Sequence, residues 1–111
     1  MNHERLVCYR LLMEIAKKMP CLTNLLPRGE GYIIDQLKRA LASSILNLCE
    51  GNGRQSQKER NRFFDISMAS MSETSSAIDI ISAYGYIPKQ MSDDIKILLI
   101  RAYSMVRKLK K

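Results

Sequence analysis

The segment QLKRALASSILNLCEGNGRQSQKERNRF, Gln36 to Phe63, decides the fold. Ile34, Leu37, Leu41, Ile45 and Leu48 recur at steps of three and four, the spacing of one helix face, so a helix is predicted from close to Glu30 to about Glu50. Lys38 and Arg39 fall off that stripe. Gly51 and Gly53 are expected to take left-handed conformations that close the helix. Ser56 with Glu59 three positions later has the capping-box pattern, in which each side chain satisfies an amide at the start of the next helix. Asn47, Glu50 and Arg54 stand three and four apart, so their side chains approach one another if helical geometry persists through the glycines.

Beyond Phe63 the chain runs to Tyr84 without proline or glycine, which predicts a third helix from Gln57 to Tyr84, about 40 Å long. Phe64, Met68, Met71, Ser75 and Ile78 give it a narrow stripe. Ser67, Ser70, Ser72, Ser76 and Ala77 are small enough to let a neighbouring helix approach closely, or to form a contact between subunits. Gly85 ends this helix and Pro88 stiffens the re-entry. Ser92 is expected to cap the last helix, with Asp93 and Asp94 at its positive end; Ile95, Leu98, Leu99, Ala102, Val106 and Leu109 continue the core. Upstream, Leu6, Leu11, Leu12, Met13, Ile15 and Ala16 predict a first helix from near Glu4 to Met19, with Pro20 ending it or lying just beyond. The prolines and glycines that follow mark a loop, whose Leu22, Leu25 and Leu26 are expected to cap the open end. Four helices with short links predict an all-α fold, an up-down antiparallel four-helix bundle forming one domain over residues 1–111.

Hydrophobic residues make up 46% of the 111 positions, too many for a disordered chain, yet no run reaches the ~20 apolar residues of a membrane span. No basic-then-apolar leader is visible at Met1-Asn2-His3-Glu4-Arg5, so a cytoplasmic location is expected. Cys8, Cys21 and Cys49 have neither zinc-site spacing nor an even count, and are expected to be buried or partly buried reduced thiols. His3 is too near the terminus to suggest a catalytic base. Asp93 and Asp94 lack a third oxygen ligand at useful spacing, so no metal is expected.

The formal charge of +7 favours polyanionic partners. Its cations fall into three sets: Lys17 and Lys18; Lys38 and Arg39 with Arg54, Lys58, Arg60 and Arg62; and Arg107, Lys108, Lys110 and Lys111. Gly51-Asn52-Gly53-Arg54 has no preceding strand and lacks the rest of a P-loop, so it reads as a turn. The helix start that follows favours an anion, with Arg54 and Lys58 beside it. Phosphate contacts need only charge within reach, whereas base reading needs stacking groups, and the five tyrosines are dispersed along the chain. Weak sequence preference is expected.

Gln36-Leu37-Lys38-Arg39-Ala40, Ser44-Ile45, Asn47, Glu50-Gly51, Gly53-Arg54, Ser56, Glu59 and Arg62-Phe63 together resemble the central signature of a small four-helix-bundle family. Its members are encoded in intervening sequences of large-subunit ribosomal RNA genes. Lys38 stands where the family carries arginine; Tyr32 and Gly85-Tyr86-Ile87 also fit. The likeness extends to the accessory variability determinant of diversity-generating retroelements. The resemblance implies a basic homo-oligomeric ring, a homopentamer, and in the retroelement setting a reverse transcriptase as partner. The reading is then a non-enzymatic protein without cofactors that binds structured RNA or an RNA and DNA hybrid, with RNA preferred to DNA, through Lys38, Arg39, Arg54, Lys58, Arg60, Arg62, Arg107 and Lys108. Ser44, Asn47, Glu50, Gly51, Gly53, Ser56, Glu59 and Phe63 would form its structural signature. The alternative is a protein-interaction scaffold whose charge serves solubility.

Overall fold

The computed structural model describes residues 2–111, and among them all regular structure is helical: α1 (His3–Thr23), α2 (Gly31–Gly53), α3 (Gln57–Ala83) and α4 (Lys89–Leu109). They form a four-helix bundle 45 Å long, a length close to the ~40 Å that α3 alone spans at about 1.5 Å per residue. The core is built from Leu12, Ile15 and Leu22 of α1, Leu37 and Leu48 of α2, Phe64, Met71, Ile78 and Ile81 of α3, and Ile95 and Val106 of α4. Each such aliphatic or aromatic side chain contributes about 1.5–3 kcal/mol when removed from water.

The α2–α3 pair sets the closest approach, and small side chains permit it. Ser67 Oγ donates across the pair to the Ser44 carbonyl at 2.6 Å, and the Ser43 and Ser70 hydroxyls lie 2.7 Å apart. A side chain that reaches a neighbouring helix's backbone brings the two axes to the short end of the usual 8–10 Å range. Ser44 and Thr74 turn their own hydroxyls back to the carbonyls of Ala40 and Ser70, which satisfies them inside the core.

Several expectations are corrected. Gly51 does not adopt a left-handed conformation; among the described residues only Gly29 and Gly85 have positive φ. Gly51 is buried within α2, and a Cβ built there would stand 2.6 Å from Cε1 of Phe64. The position demands glycine for space, and the helix continues to Gly53. Pro20 does not end α1 but lies inside it. Near a C-terminus proline forfeits a single helical bond, while the turn beyond it carries Leu22, fully buried, onto the core. Leu26 packs against that core as expected, whereas Leu25 remains exposed.

Ser92 is not the cap of α4. Pro88, with φ −65°, precedes the helix, and Ser92 is buried one turn in. Asp93 and Asp94 therefore pair backwards, with Lys89 at 3.4 Å and Gln90 at 2.8 Å. Ser75, Ile34, Ile45 and Leu98, assigned to the stripes, are only half-buried, while Ile33 enters the core. Cys8 is buried, and burial pushes its thiol up to about 12; Cys21 and Cys49 are exposed, contrary to expectation.

Gly85, at φ 81°, closes α3 as anticipated. The amides of Gly85 and Tyr86 bond to the carbonyls of Ser82 and Ile81, the paired pattern that makes a left-handed helix end rigid. Tyr86 then donates its hydroxyl to Glu30 at the head of α2, at 3.0 Å. That bond holds its phenol above the usual range.

Candidate nucleic-acid interface

Two of the three basic sets meet at one end of the bundle. Gln57, at the start of α3, donates to the Leu109 carbonyl at the end of α4, and Asn61 donates to the Lys111 carbonyl at 2.8 Å. Lys110 pairs with Asp65 of α3. The first turn of α1 lies against the last turns of α4, where Glu4, Met105 and Lys108 line a shared crevice. Arg54 and Lys58 thus share an end with Arg107, Lys108 and Lys111, residues separated by some fifty positions of sequence. Gln57 and Asn61, which hold this junction together, carry no sign of that role beyond being polar and four apart on a helix.

The α2–α3 turn shows how local chemistry orders this end. Ser56 caps α3 by accepting the Glu59 amide at 3.1 Å. The Glu59 carboxylate does not complete the box; it turns toward Arg54 at 3.9 Å, while Glu50 holds the same guanidinium at 2.9 Å. Asn47 does not join them, donating instead to the Ser43 carbonyl and hydroxyl. Arg60 points inward, with Nη1 on the carbonyls of Arg54 and Gln55 and Nη2 on Gln57. Arg54 and Arg60 therefore brace the turn rather than standing free.

The cations of these two sets that remain available at this end are Lys58, Arg62, Arg107, Lys108 and Lys111, all exposed and without an ion-pair partner among the described residues. Arg62 lies over the Phe63 ring at 5.3 Å, with Arg54 against the same ring at 4.8 Å. Phe63 is thus more than a packing residue, since it limits where both guanidinium groups can swing. Arg107 and Lys108 occupy the last turn of α4, where the helix's own partial negative charge offsets part of theirs.

Lys38 and Arg39, expected to belong with this cluster, do not. They lie about 22–24 Å from Arg54 along α2, nearly three screening lengths of about 8 Å at physiological salt, and Arg39 is paired with Asp35 at 3.1 Å. Of the signature residues, Ser44 and Gly51 act in packing, Phe63 beneath the two guanidinium groups, and Ser56 and Glu59 at the turn; Gly53 ends α2 with open space around it.

This end presents several positive charges on rigid helix termini, with Glu4, Glu50, Glu59 and Asp65 as the opposing carboxylates, two of them already occupied by Arg54 and one by Lys110. Such an arrangement can grip phosphates; three or more His, Cys, Asp or Glu side chains placed to hold a metal ion do not occur among the described residues. No helix among them is long and apolar enough to cross a membrane. No curated protein matches the chain. The family model for the 23S rRNA-intervening sequence protein matches residues 4–108, which takes in all but the extreme ends of the bundle. The chain belongs to the 23S rRNA-intervening sequence protein family.

Proposed function

We propose that this protein is a non-enzymatic RNA-binding bundle that grips structured RNA in the cytoplasm through phosphate contacts at its basic end. The observation that carries this reading is the convergence of Lys58 and Arg62 from α3 with Arg107 and Lys108 from α4. Electrostatic contacts of this kind fix position without reading sequence. The family's ribosomal RNA setting supports RNA as the polyanion.

The architecture that fits is an up-down antiparallel bundle assembled head to tail into a closed ring, with five subunits implied by the family resemblance. Leu46 on α2, 64% exposed, and Ile100 on α4, equally exposed, lie on different helices and suit two unlike surfaces that meet across a subunit boundary. A ring would repeat the basic end around its axis and multiply weak contacts. In a retroelement setting the same surface would hold a template beside a reverse transcriptase, and a neighbouring reverse transcriptase gene with a variable repeat would favour that role.

The test compares two variants for binding of a ribosomal RNA fragment. Lys58→Ala/Arg62→Ala/Lys108→Ala is expected to weaken binding at least tenfold, and Lys38→Ala/Arg39→Ala to change it little. Equal effects would defeat the assignment of the site. The scaffold alternative draws on the same exposed apolar residues; it predicts a protein partner whose capture is indifferent to all five substitutions.

A further inference from the structure

Three of the five tyrosines gather at the end of the bundle opposite the basic cluster. Tyr32 lies in the first turn of α2, Tyr84 caps the end of α3, and Tyr86 follows on the far side of the Gly85 turn. The Tyr84 and Tyr86 rings meet edge to face, 5.8 Å between centroids and 69° between planes. Tyr32 follows Glu30 by two residues at the head of α2, the side that Tyr86 reaches through its bond to Glu30, and Tyr84 raises the pKa of its phenol. Tyr32 is 61% and Tyr84 53% exposed, so neither serves the core.

Glu30 stands at the base of this corner. One carboxylate oxygen accepts the Tyr86 hydroxyl, while Oε2 is shielded from water and meets no donor within the chain. Leaving a buried charged oxygen unmatched is costly, and a cation held nearby offsets that cost through space, since Oε2 itself is closed to direct contact. The geometry points to a docking site for a cationic side chain, an arginine or lysine presented by a protein partner, seated against the tyrosine faces and drawn by Glu30.

Aromatic faces attract cations, and two near-perpendicular rings offer a face and an edge without rearrangement, because the turn between them is hydrogen-bonded on both sides. The carboxylates next along the adjoining helices, Asp35 of α2 and Asp79 of α3, are paired with Arg39 and Lys96, and Arg28 in the α1–α2 loop is the unpaired cation nearest to Glu30 in sequence. An unpaired nucleobase would also stack on tyrosine, but its phosphates would arrive beside Glu30, and the exposed lysines of this end, Lys17 and Lys18, line a crevice between α1 and α4 that includes none of the three tyrosines. The chain's positive excess does not oppose a cation here. It is concentrated about 40 Å away along α3, some five screening lengths of about 8 Å each.

The experiment follows tyrosine ring signals by NMR at physiological ionic strength during titration with an arginine-glycine repeat peptide, its glutamate-glycine counterpart, and an oligouridylate. The arginine peptide is expected to shift the Tyr32, Tyr84 and Tyr86 signals. Tyr32→Leu/Tyr84→Leu and, separately, Glu30→Gln are each expected to weaken it roughly tenfold, with helicity unchanged by circular dichroism. Lys58→Ala/Arg62→Ala should leave peptide binding as it was, which separates this corner from the RNA-binding end. Tyrosine signals that stay still, peptide affinity equal in the variants, or shifts produced by the oligouridylate in place of the peptide would each overturn the proposal.

Discussion

Replacing Gly51 with alanine tests the claim that the α2–α3 contact, rather than a turn, dictates glycine there. In an ordinary helix the change would gain about 1 kcal/mol from helix propensity. Here the added Cβ would lie 2.6 Å from Cε1 and 2.8 Å from Cδ1 of Phe64, with the Arg60 carbonyl oxygen of the same helix at 3.3 Å. Carbon atoms rest at about 3.5–4 Å, so the ring must move by roughly 1 Å. Phe64 is fully buried, so its ring moves only at the expense of its core neighbours. Overpacking of this kind costs about 1–3 kcal/mol, and with two ring atoms below contact distance the upper part of that range applies. The net expectation is a loss of about 1–2 kcal/mol, seen as a urea midpoint lower by roughly 1 M for an m-value near the low end for small domains. Gly53→Ala is the control: nothing lies within 4 Å of where its methyl group would stand, so it should be neutral or stabilising by up to about 1 kcal/mol. Urea unfolding by circular dichroism at fixed protein concentration reads both. Gly51→Ala as stable as the parent, or Gly53→Ala equally damaging, would refute the reasoning.

Other consequences are equally direct. Cys8 ionises in the unfolded chain near the ordinary thiol value of 9.0 but in the fold only at about 12; because its folded pKa is raised, its contribution is complete below pH 9.0 and lost as pH rises from there toward 12. Stability should fall by roughly 1 kcal/mol per pH unit in that window, and Cys8→Ala should remove this part of the slope in pH-dependent unfolding. Ser56→Ala deletes the α3 cap and should cost about 1 kcal/mol in thermal melts. Leu46→Ser with Ile100→Ser should lower the mass seen by light scattering while leaving helicity intact; an unchanged mass would remove these residues from the subunit contact.

Much of the fold was legible because it is written in local chemistry. The apolar stripes of α2, α3 and α4 gave the elements, and the end of α3 fell at Gly85, where a positive φ leaves glycine the natural choice. The misplaced helix boundaries share one cause: residues with two physical uses. Gly51 can close a helix or admit a neighbour, and Phe64, thirteen positions later, decides between them. Ser92 can cap a helix or be buried within one, and Pro88 starts α4 a turn earlier. Pro20 is tolerated because the turn it begins buries Leu22.

The candidate site was legible in composition but not in grouping. Lys38 and Arg39 are close to Arg54 in sequence yet remote from it along a straight helix, whereas Arg107 and Lys108 are distant in sequence and adjacent in space. That difference depends on which helix ends meet, fixed by Gln57 and Asn61 on the last residues of the chain. The tyrosine corner escaped notice for the same reason, being assembled from both ends of different helices.

The most direct test of the central claim is the salt dependence of affinity for a structured ribosomal RNA fragment. If phosphates at the basic end carry binding, log affinity falls linearly with log salt concentration, with a slope of about 0.7–0.9 per phosphate contact. Removing Lys58, Arg62 and Lys108 together should then flatten the slope by roughly two to three. A slope the substitutions leave unchanged, or affinity indifferent to salt, would contradict it.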